Sequence, residues 1–279
     1  MSRSEEVIPK LEKHKLSSLI SKGERIDGRE LNEYRPITID VNCIEKAEGS
    51  AIVSLGNTVS IAGVKAEIGT PFADTPNEGV LIVNAEFLPL ASPSFEPGPP
   101  DENAIEIARV VDRGIRSSRT LDLERLCIIP GKRVWVIYVD VYVLNHNGNM
   151  IDASGLAVLS ALLTAKIPVV KVSEDERIGI TDEWVPLPIR DRPIPVTMAK
   201  IGDKLVVDPN INEELSMDCR LTLTVNERGS ICAVQKGGRG SLSMNDILYA
   251  VDLALKVSKE IRSALPPLPK IEDITYVVK

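Results

Sequence analysis

The sequence predicts an α+β fold made of two halves, each a set of β-strands followed by a helix. Alternating and β-branched apolar runs recur over residues 51–144, and an alanine- and leucine-rich helix follows over about residues 152–166. The same order returns later, with short strands between residues 196 and 235 and a long helix from Ser243. Strands followed by helices, twice, indicate helices packed on mainly antiparallel sheets. The halves resemble distant structural repeats without clear sequence identity.

The first half begins with a charged amphipathic segment. Its first 22 residues predict a short helix, for which the possible apolar contacts are Ile8, Leu11, Leu16, Leu19 and Ile20. Two β-runs, residues 51–55 and 59–64, flank Gly56-Asn57-Thr58, and alternation around a Gly-Asn turn indicates a hairpin. A further strand fits residues 80–88, and a proline-rich loop follows it.

Asp101 can cap the helix that begins after this loop and runs to about Ser118. Residues 133–144 form the strongest strand pattern in the chain, and the turn sequence at residues 145–148 follows it. The helix at about 152–166 is apolar on most faces, so we expect it to be buried.

The second half begins beyond a segment, residues 175–195, in which prolines punctuate extended sequence. Strands are expected near residues 196–201, 204–207, 218–225 and 231–235. The final helix starts at Ser243, where Ser243 and Asp246 resemble a capping box with Asp in place of Glu.

These boundaries predict four parts. They are an N-terminal helix (residues 1–24), a first subdomain (25–175), a crossover linker (176–195) and a second subdomain (196–279).

Composition restricts the function. The net charge is −7, whereas a protein that binds nucleic acid through bulk charge is basic. Aromatic residues make up only 4% of the chain, which argues against a base-stacking platform. Any contact with RNA must therefore come from a local basic patch or from a partner chain.

Metal sites, cofactors and membrane spans are not expected. The four cysteines lie far apart without a C-x-x-C pair, and only two histidines accompany them. Free thiols suit a reducing cytoplasm, which is the predicted location. No apolar run approaches the roughly 20 residues needed to cross a bilayer.

Four segments in order resemble the RNase PH family. They are RIDGR at residues 25–29 with YRP at 34–36, GSAIVSLGNT at 49–58, the strand, turn and helix of 134–163, and VVDP at 206–209 leading to Met217-Asp218. The resemblance covers about residues 22–265. It implies the RNase PH-like fold (ribosomal protein S5 domain 2-like), with two subdomains of β-sheet and helix.

Within the family, residues 95–104 and 108–113 resemble the archaeal exosome ring subunit that lacks activity. The resemblance implies a hexameric ring in which such a subunit alternates with a catalytic RNase PH-like subunit, under a cap of RNA-binding proteins. The complex would degrade RNA from its 3' end. This chain would bind RNA and help to structure the active site of its catalytic sister.

The resemblance also locates the chemistry that is missing. In active members a Gly-(Ser/Thr)-Arg run before the central helix holds phosphate, and this chain has Asn149, Met150 and Ile151 there. Active members also carry two carboxylates six residues apart. Asp218 retains the later one, but Asn212, which cannot ionise, replaces the earlier. We therefore expect no catalytic residue in this chain.

Two neighbouring features leave alternatives open. Asp152 could repel phosphate as an anion at the helix start, or it could cap that helix, which is the favoured interpretation. Glu213 and Glu214 adjoin Asn212, so a shifted alignment would restore a carboxylate pair.

A basic stripe lies on the helix after the proline-rich loop. Arg109, Arg113 and Arg116 are spaced i, i+4, i+7 and fall within about 60° of one another on the helix surface. The alternative is an ordinary solvated face, because Glu106 and Asp112 are placed to form intrahelical ion pairs. The family resemblance carries Arg109 and Arg113 onto RNA-contacting positions, whereas Arg116 follows from geometry alone.

Two other functions remain as alternatives. The chain could itself be a phosphorolytic 3'-to-5' exoribonuclease. It could also bind a nucleotide through the glycine-rich loop at residues 236–241, although that loop lacks P-loop spacing and a turn is favoured there.

Overall fold

The computed structural model describes residues 10–278. Two sheets enclose a central helix. The first sheet has the strand order β1-β2-β3-β6-β4, with β5 paired to β6. Its strands are β1 (Ile37–Val41), β2 (Gly49–Leu55), β3 (Thr58–Gly69), β4 (Val80–Phe87), β5 (Cys127–Ile129) and β6 (Arg133–Asn145). The hairpin predicted around Gly56-Asn57 is confirmed, because β2 and β3 pair antiparallel from Leu55↔Thr58 to Gly49↔Val64.

The second sheet has the strand order β10-β9-β11-β12 and is antiparallel throughout. Its strands are β9 (Ile194–Ile201), β10 (Lys204–Val207), β11 (Cys219–Val225) and β12 (Ile231–Gly238). All four strands predicted for this half are confirmed. A short helix between β10 and β11, which the sequence pattern did not indicate, is α4 (Ile211–Ser216).

Four longer helices pack with these sheets. They are α1 (Lys10–Ser21), α2 (Glu102–Ser117), α3 (Met150–Thr164) and α5 (Met244–Arg262). The predicted caps of α2 and α5 are confirmed: Asp101 accepts from the Ala104 amide at 2.8 Å, and Ser243 and Asp246 form the capping box.

Helix α3 is the centre of the molecule. Every side chain from Ile151 to Leu163 is buried, because α3 packs against the first sheet on one side and β9 on the other. Gly155 allows the second contact, since a Cβ there would lie 2.7 Å from Cγ of Pro195. The two halves therefore share one continuous hydrophobic core.

Helix α1 and part of the expected linker pack or pair with neighbouring elements. Helix α1 buries Leu16 and Ile20 against Ile201 and Val206 of the second half, while Leu11 is exposed; Ile8 lies outside the described residues. Residues 178–186 of the expected linker form β8 (Ile178–Pro186), which pairs with β7 (Lys166–Val172). With β13 (Val277–Val278), these strands make a third small sheet.

Candidate functional site

The turn before α3 determines where the central helix begins. Gly148 and Asn149 both have left-handed backbones, with φ of 85° and 52°. A Cβ on Gly148 would lie 2.4 Å from the carbonyl carbon of Asn210, so only glycine permits this close approach to the start of α4. Asn149 is the N-cap residue and α3 begins at Met150, two residues earlier than the sequence pattern predicts.

Asp152 is therefore not the cap of α3, and the favoured interpretation of this residue is wrong. It lies in the first turn, fully buried, and accepts hydrogen bonds from the Tyr34 hydroxyl, from Asn149 Nδ2 at 2.9 Å and from Thr197. Burial raises the pKa of Asp152 to about 6, although these hydrogen bonds act to lower it. Its side chain binds the two halves together in the interior rather than facing a ligand.

A different carboxylate lies at the start of α3. Glu214 Oε1 accepts from the backbone N–H of Asn149 at 2.8 Å. Burial raises the pKa of Glu214 to about 7, against this hydrogen bond and the nearby positive charges of Arg220 and Arg35. The side chain of Glu214 is thus bonded to a backbone N–H at the helix terminus, where an anionic ligand would bind.

The two residues at the positions expected to bind phosphate are apolar, and both pack in or against the hydrophobic core. Ile151 is 3% exposed and belongs to the hydrophobic core, and Met150 packs partly buried against that core. Neither side chain offers a hydrogen-bond donor or a positive charge to an anion.

The two expected carboxylate positions point elsewhere. Asn212 is exposed on α4, and its side chain has no hydrogen-bond partner within residues 10–278. Asp218 is also exposed, and its Oδ2 accepts from the Gly202 amide at 2.9 Å in the β9–β10 turn. Glu213, which a shifted alignment would use, is buried in an ion pair of 2.6 Å with Arg25.

The arginines of residues 25–36 have structural partners in the second half. Arg35 pairs with the buried carboxylate of Asp208 at 2.7 Å, and Arg29 reaches the other oxygen of Asp208 at 3.0 Å. Arg25 also donates to the backbone carbonyls of Val207 and Asp208. The motif that resembles the start of the RNase PH pattern therefore anchors the chain to β10 and α4. Sequence reasoning missed this role, for which the only signal was the cluster of arginines itself.

The stripe on α2 has the predicted geometry. Arg109, Arg113 and Arg116 are all exposed, and the opposite face is buried, as expected from the 3.6-residue period. The three arginines have different partners. Arg116 forms an ion pair of 2.7 Å with Asp112 and also donates to the Leu81 carbonyl. Arg113 donates to Gln235 Oε1 at 3.2 Å, and Arg109 has no partner in the described part of the chain.

Only one of the two expected intrahelical pairs forms. Asp112 pairs with Arg116, but Glu106 turns away from Arg109 toward the second sheet. One carboxylate oxygen forms an ion pair with Arg220 Nη2 at 2.9 Å, and the other accepts a hydrogen bond from Gln235 Nε2 at 3.1 Å. Among the described residues, Arg109 therefore has no carboxylate partner.

The glycine-rich loop is a turn. Strand β12 continues to Gly238, whose φ is 80°, and a Cβ at that position would lie 2.9 Å from the Cα of Cys219. The amide of Gly240 is already bound to the carbonyl of Asp218 at 2.7 Å. These contacts favour the turn over a phosphate cradle.

Metal-binding geometry and membrane spans are absent from the described residues. No group of three or more His, Cys, Asp or Glu side chains there is arranged to hold a metal ion. No helix between residues 10 and 278 has both the length and the apolar character needed to cross a membrane.

The fold and its matches define an RNase PH protein. Residues 33–168 match domain 1 of the 3' exoribonuclease family, and residues 191–257 match domain 2 of that family. The chain belongs to the RNase PH family.

Its relatives carry a more particular name. The exosome complex component Rrp42 of Thermococcus kodakarensis is 54% identical over 92% of this chain and 95% of its own length. The protein of the same name from Methanopyrus kandleri is 51% identical over 92% of this chain and 96% of its own length.

Solved structures agree with this assignment of fold. A chain of the Archaeoglobus fulgidus exosome with RNA bound to the active site has a TM-score of 0.84 and 44% identity, covering 91% of this chain and 97% of that one. A chain of an archaeal exosome core has a TM-score of 0.80 and 41% identity, covering 91% and 95%. Rice Rrp46, at 20% identity and a TM-score of 0.65, shares the fold.

Proposed function

We propose that this chain is a non-catalytic subunit of an archaeal exosome core ring, which binds RNA and helps to structure the active site of a catalytic sister subunit. Two facts support the exosome assignment. Relatives more than half identical to it are named exosome complex component Rrp42, and similar solved chains come from archaeal exosomes, one with RNA at its active site.

The observation that carries the non-catalytic assignment is the occupied start of α3. A phosphorolytic site needs free backbone amides and a cation to hold inorganic phosphate. Here Glu214 is bonded to the Asn149 amide, and Met150 and Ile151 supply no charge. Phosphate would have to displace a carboxylate, and Asn212 offers no proton to the leaving group. The occupied Asn149 amide and the missing charge at Met150 and Ile151 support a non-catalytic role for this chain.

The RNA-binding part of the proposal rests on α2. Guanidinium groups suit phosphate oxygens, and the arginine that has no carboxylate partner keeps its full charge for such a contact. Arg109 meets that condition, and Arg113 gives up only one hydrogen bond to a neutral amide. Arg116 does not, because Asp112 neutralises it.

The partners follow from the resemblance to archaeal ring subunits. The chain would alternate with a catalytic RNase PH-like subunit in a hexameric ring, beneath a cap of RNA-binding proteins, in the cytoplasm. RNA passing toward the catalytic subunit would meet Arg109 and Arg113 at the subunit boundary.

An exonuclease assay tests the catalytic assignment. The isolated chain, incubated with poly(A), inorganic phosphate and Mg²⁺, is expected to release no nucleoside diphosphates. Mixing it with the catalytic RNase PH-like subunit is expected to form a ring that does release them. Phosphate-dependent degradation by the isolated chain would overturn the proposal in favour of an active exoribonuclease.

A charge-reversal pair tests the RNA-binding assignment. Arg109→Glu with Arg113→Glu is expected to weaken RNA binding by the assembled ring while ring assembly, followed by its mass, stays intact. The matched control is Lys256→Glu with Lys259→Glu, which makes the same charge change on an exposed face of α5. Equal losses from both pairs would show a bulk charge effect and remove the special role of α2.

A further inference from the structure

One chain of polar contacts joins the second sheet to the arginines of α2. Arg220 of β11 forms an ion pair with Glu106 at 2.9 Å. Gln235 of β12 donates to the other oxygen of Glu106 at 3.1 Å, and Arg113 donates to Gln235 at 3.2 Å. We propose that Gln235 is a positioning residue: its hydrogen bond fixes the Arg113 side chain in the orientation in which Arg113 binds RNA. This inference rests on the proposed RNA-binding function of Arg113.

The orientation of the Gln235 amide is fixed by its two neighbours. Glu106 only accepts hydrogen bonds, and the guanidinium of Arg113 only donates them. The amide NH₂ must therefore face Glu106 and the amide oxygen must face Arg113. A reversed amide would place oxygen against carboxylate and NH₂ against guanidinium. No other uncharged side chain of this length donates and accepts at once in this way.

Glu106 is held in turn by Arg220, and the sheet is shaped to allow it. Arg220 and Gly237 are cross-strand partners in β11 and β12. A Cβ on Gly237 would lie 3.1 Å from Nη2 of Arg220, so the absence of a side chain there leaves room for the guanidinium that holds Glu106. Gln235 lies two residues before Gly237 and so points to the same face of β12.

A neutral anchor fixes Arg113 without cancelling its charge. Arg116, held by a carboxylate, loses its net charge to Asp112, whereas Arg113 keeps its charge and its remaining N–H groups. A side chain that is ordered before binding loses less conformational entropy when RNA arrives. Gln235 thus lowers the entropic cost of the Arg113 contact and leaves its electrostatic attraction in place.

A double-mutant cycle tests this role in the ring assembled with the catalytic subunit. Affinity is measured with a fluorescently labelled oligoadenylate at fixed salt. Gln235→Met, which keeps the length and removes both polar atoms, is expected to weaken binding about fivefold, the factor of one typical net hydrogen bond. The loss should vanish in an Arg113→Ala background and persist in an Arg109→Ala background. A simple disturbance of the fold would act in both.

A second variant keeps the test independent of packing. Gln235→Glu retains the shape and still accepts from Arg113, but its carboxylate neutralises this arginine and gives up the hydrogen bond to Glu106. The slope of log affinity against log salt is expected to become less steep by about 1.

The outcomes separate this proposal from the function on which it rests. If Arg113→Ala alone leaves RNA affinity unchanged, the proposed role of Arg113 fails, and that of Gln235 with it. If Arg113→Ala weakens binding and Gln235→Met does not, or if the Gln235→Met loss survives in the Arg113→Ala background, only the positioning role is overturned.

Discussion

Arginines serve opposite purposes in two regions of this molecule. In the buried junction, defined by Arg25, Arg29, Arg35, Asp208 and Glu213, each guanidinium has a carboxylate within 3.0 Å. On the arginine face, defined by Arg109, Arg113 and Arg116, only Arg116 has one among residues 10–278. The arginines of the junction are neutralised by ion pairs within the folded chain, whereas Arg109 and Arg113 on the arginine face keep their charge for a ligand.

The difference depends on where each neighbouring carboxylate is directed. In the junction, Asp208 and Glu213 point toward the arginines from the second half. Beside the arginine face, Glu106 is drawn away by Arg220 and Gln235. A protein with a net charge of −7 can thus keep a local positive surface, because specific contacts take its acids elsewhere.

The largest effect is expected from breaking the junction. Asp208→Asn removes the charge that balances Arg29 and Arg35, so we expect the free energy of unfolding to fall by about 3–5 kcal/mol. Denaturant unfolding measures this. The exposed Asp203→Asn is the control and should change little. A loss below about 1 kcal/mol would mean that the junction is not a structural anchor.

The next largest effect is a pH dependence of stability that comes from Glu214. Burial raises the pKa of Glu214 to about 7, so between about pH 4 and pH 7 the folded protein holds a proton that the unfolded chain has released. The contribution of this group to stability is therefore present at low pH and lost as pH rises through about 7. Glu214→Gln abolishes that dependence.

We expect the unfolding free energy of Glu214→Gln, relative to the parent, to rise by about 3 kcal/mol between pH 4 and pH 8. Denaturant unfolding at a series of pH values measures it, with the exposed Glu260→Gln as control. Asp152, whose pKa burial raises to about 6, should retain the same direction of dependence in this variant. If the unfolding free energies of parent and variant change with pH in parallel, the raised pKa of Glu214 is contradicted.

Local signals explain how much of the fold the sequence predicts. The Gly-Asn hairpin and the caps at Asp101 and Ser243 depend on residues close together in the chain, and each forms as predicted. The start of α3 was misplaced because Asn149 adopts a left-handed backbone that the approach of Gly148 to α4 imposes. The packing of α1 on the second half is likewise non-local.

The candidate site divides in the same way. The common face of the three arginines follows from helical periodicity alone. Their different partners do not, because Gln235 and Arg220 lie far along the chain from α2. The sequence likewise does not predict that Glu214 accepts a hydrogen bond from the Asn149 amide, because the two residues lie far apart in the chain.

On the arginine face, the unpaired Arg109 should matter most. Arg109→Gln removes one free charge, so the slope of log RNA affinity against log salt should become less steep by about 1, and affinity at 0.1 M salt should fall by up to about tenfold. Titration of labelled RNA into the ring over a salt series measures both. The unfolding free energy should stay within about 0.5 kcal/mol, since the exposed side chain has no hydrogen bond or ion pair in the described part of the chain. An unchanged slope would remove Arg109 from the RNA-binding surface.

The smallest effect is expected for Arg116. It tests whether an arginine that is paired with a carboxylate contributes to RNA binding. The paired change Asp112→Asn with Arg116→Gln removes an ion pair of 2.7 Å while leaving the local net charge unaltered. Exposed pairs of this kind contribute less than about 1 kcal/mol, so stability should barely move. RNA affinity should stay within about twofold of the parent, because Arg116 brings no net charge to the surface. A loss as large as that of Arg109→Gln would instead mean that Arg116 leaves Asp112 for RNA, and that pairing in the free chain does not decide which arginines bind.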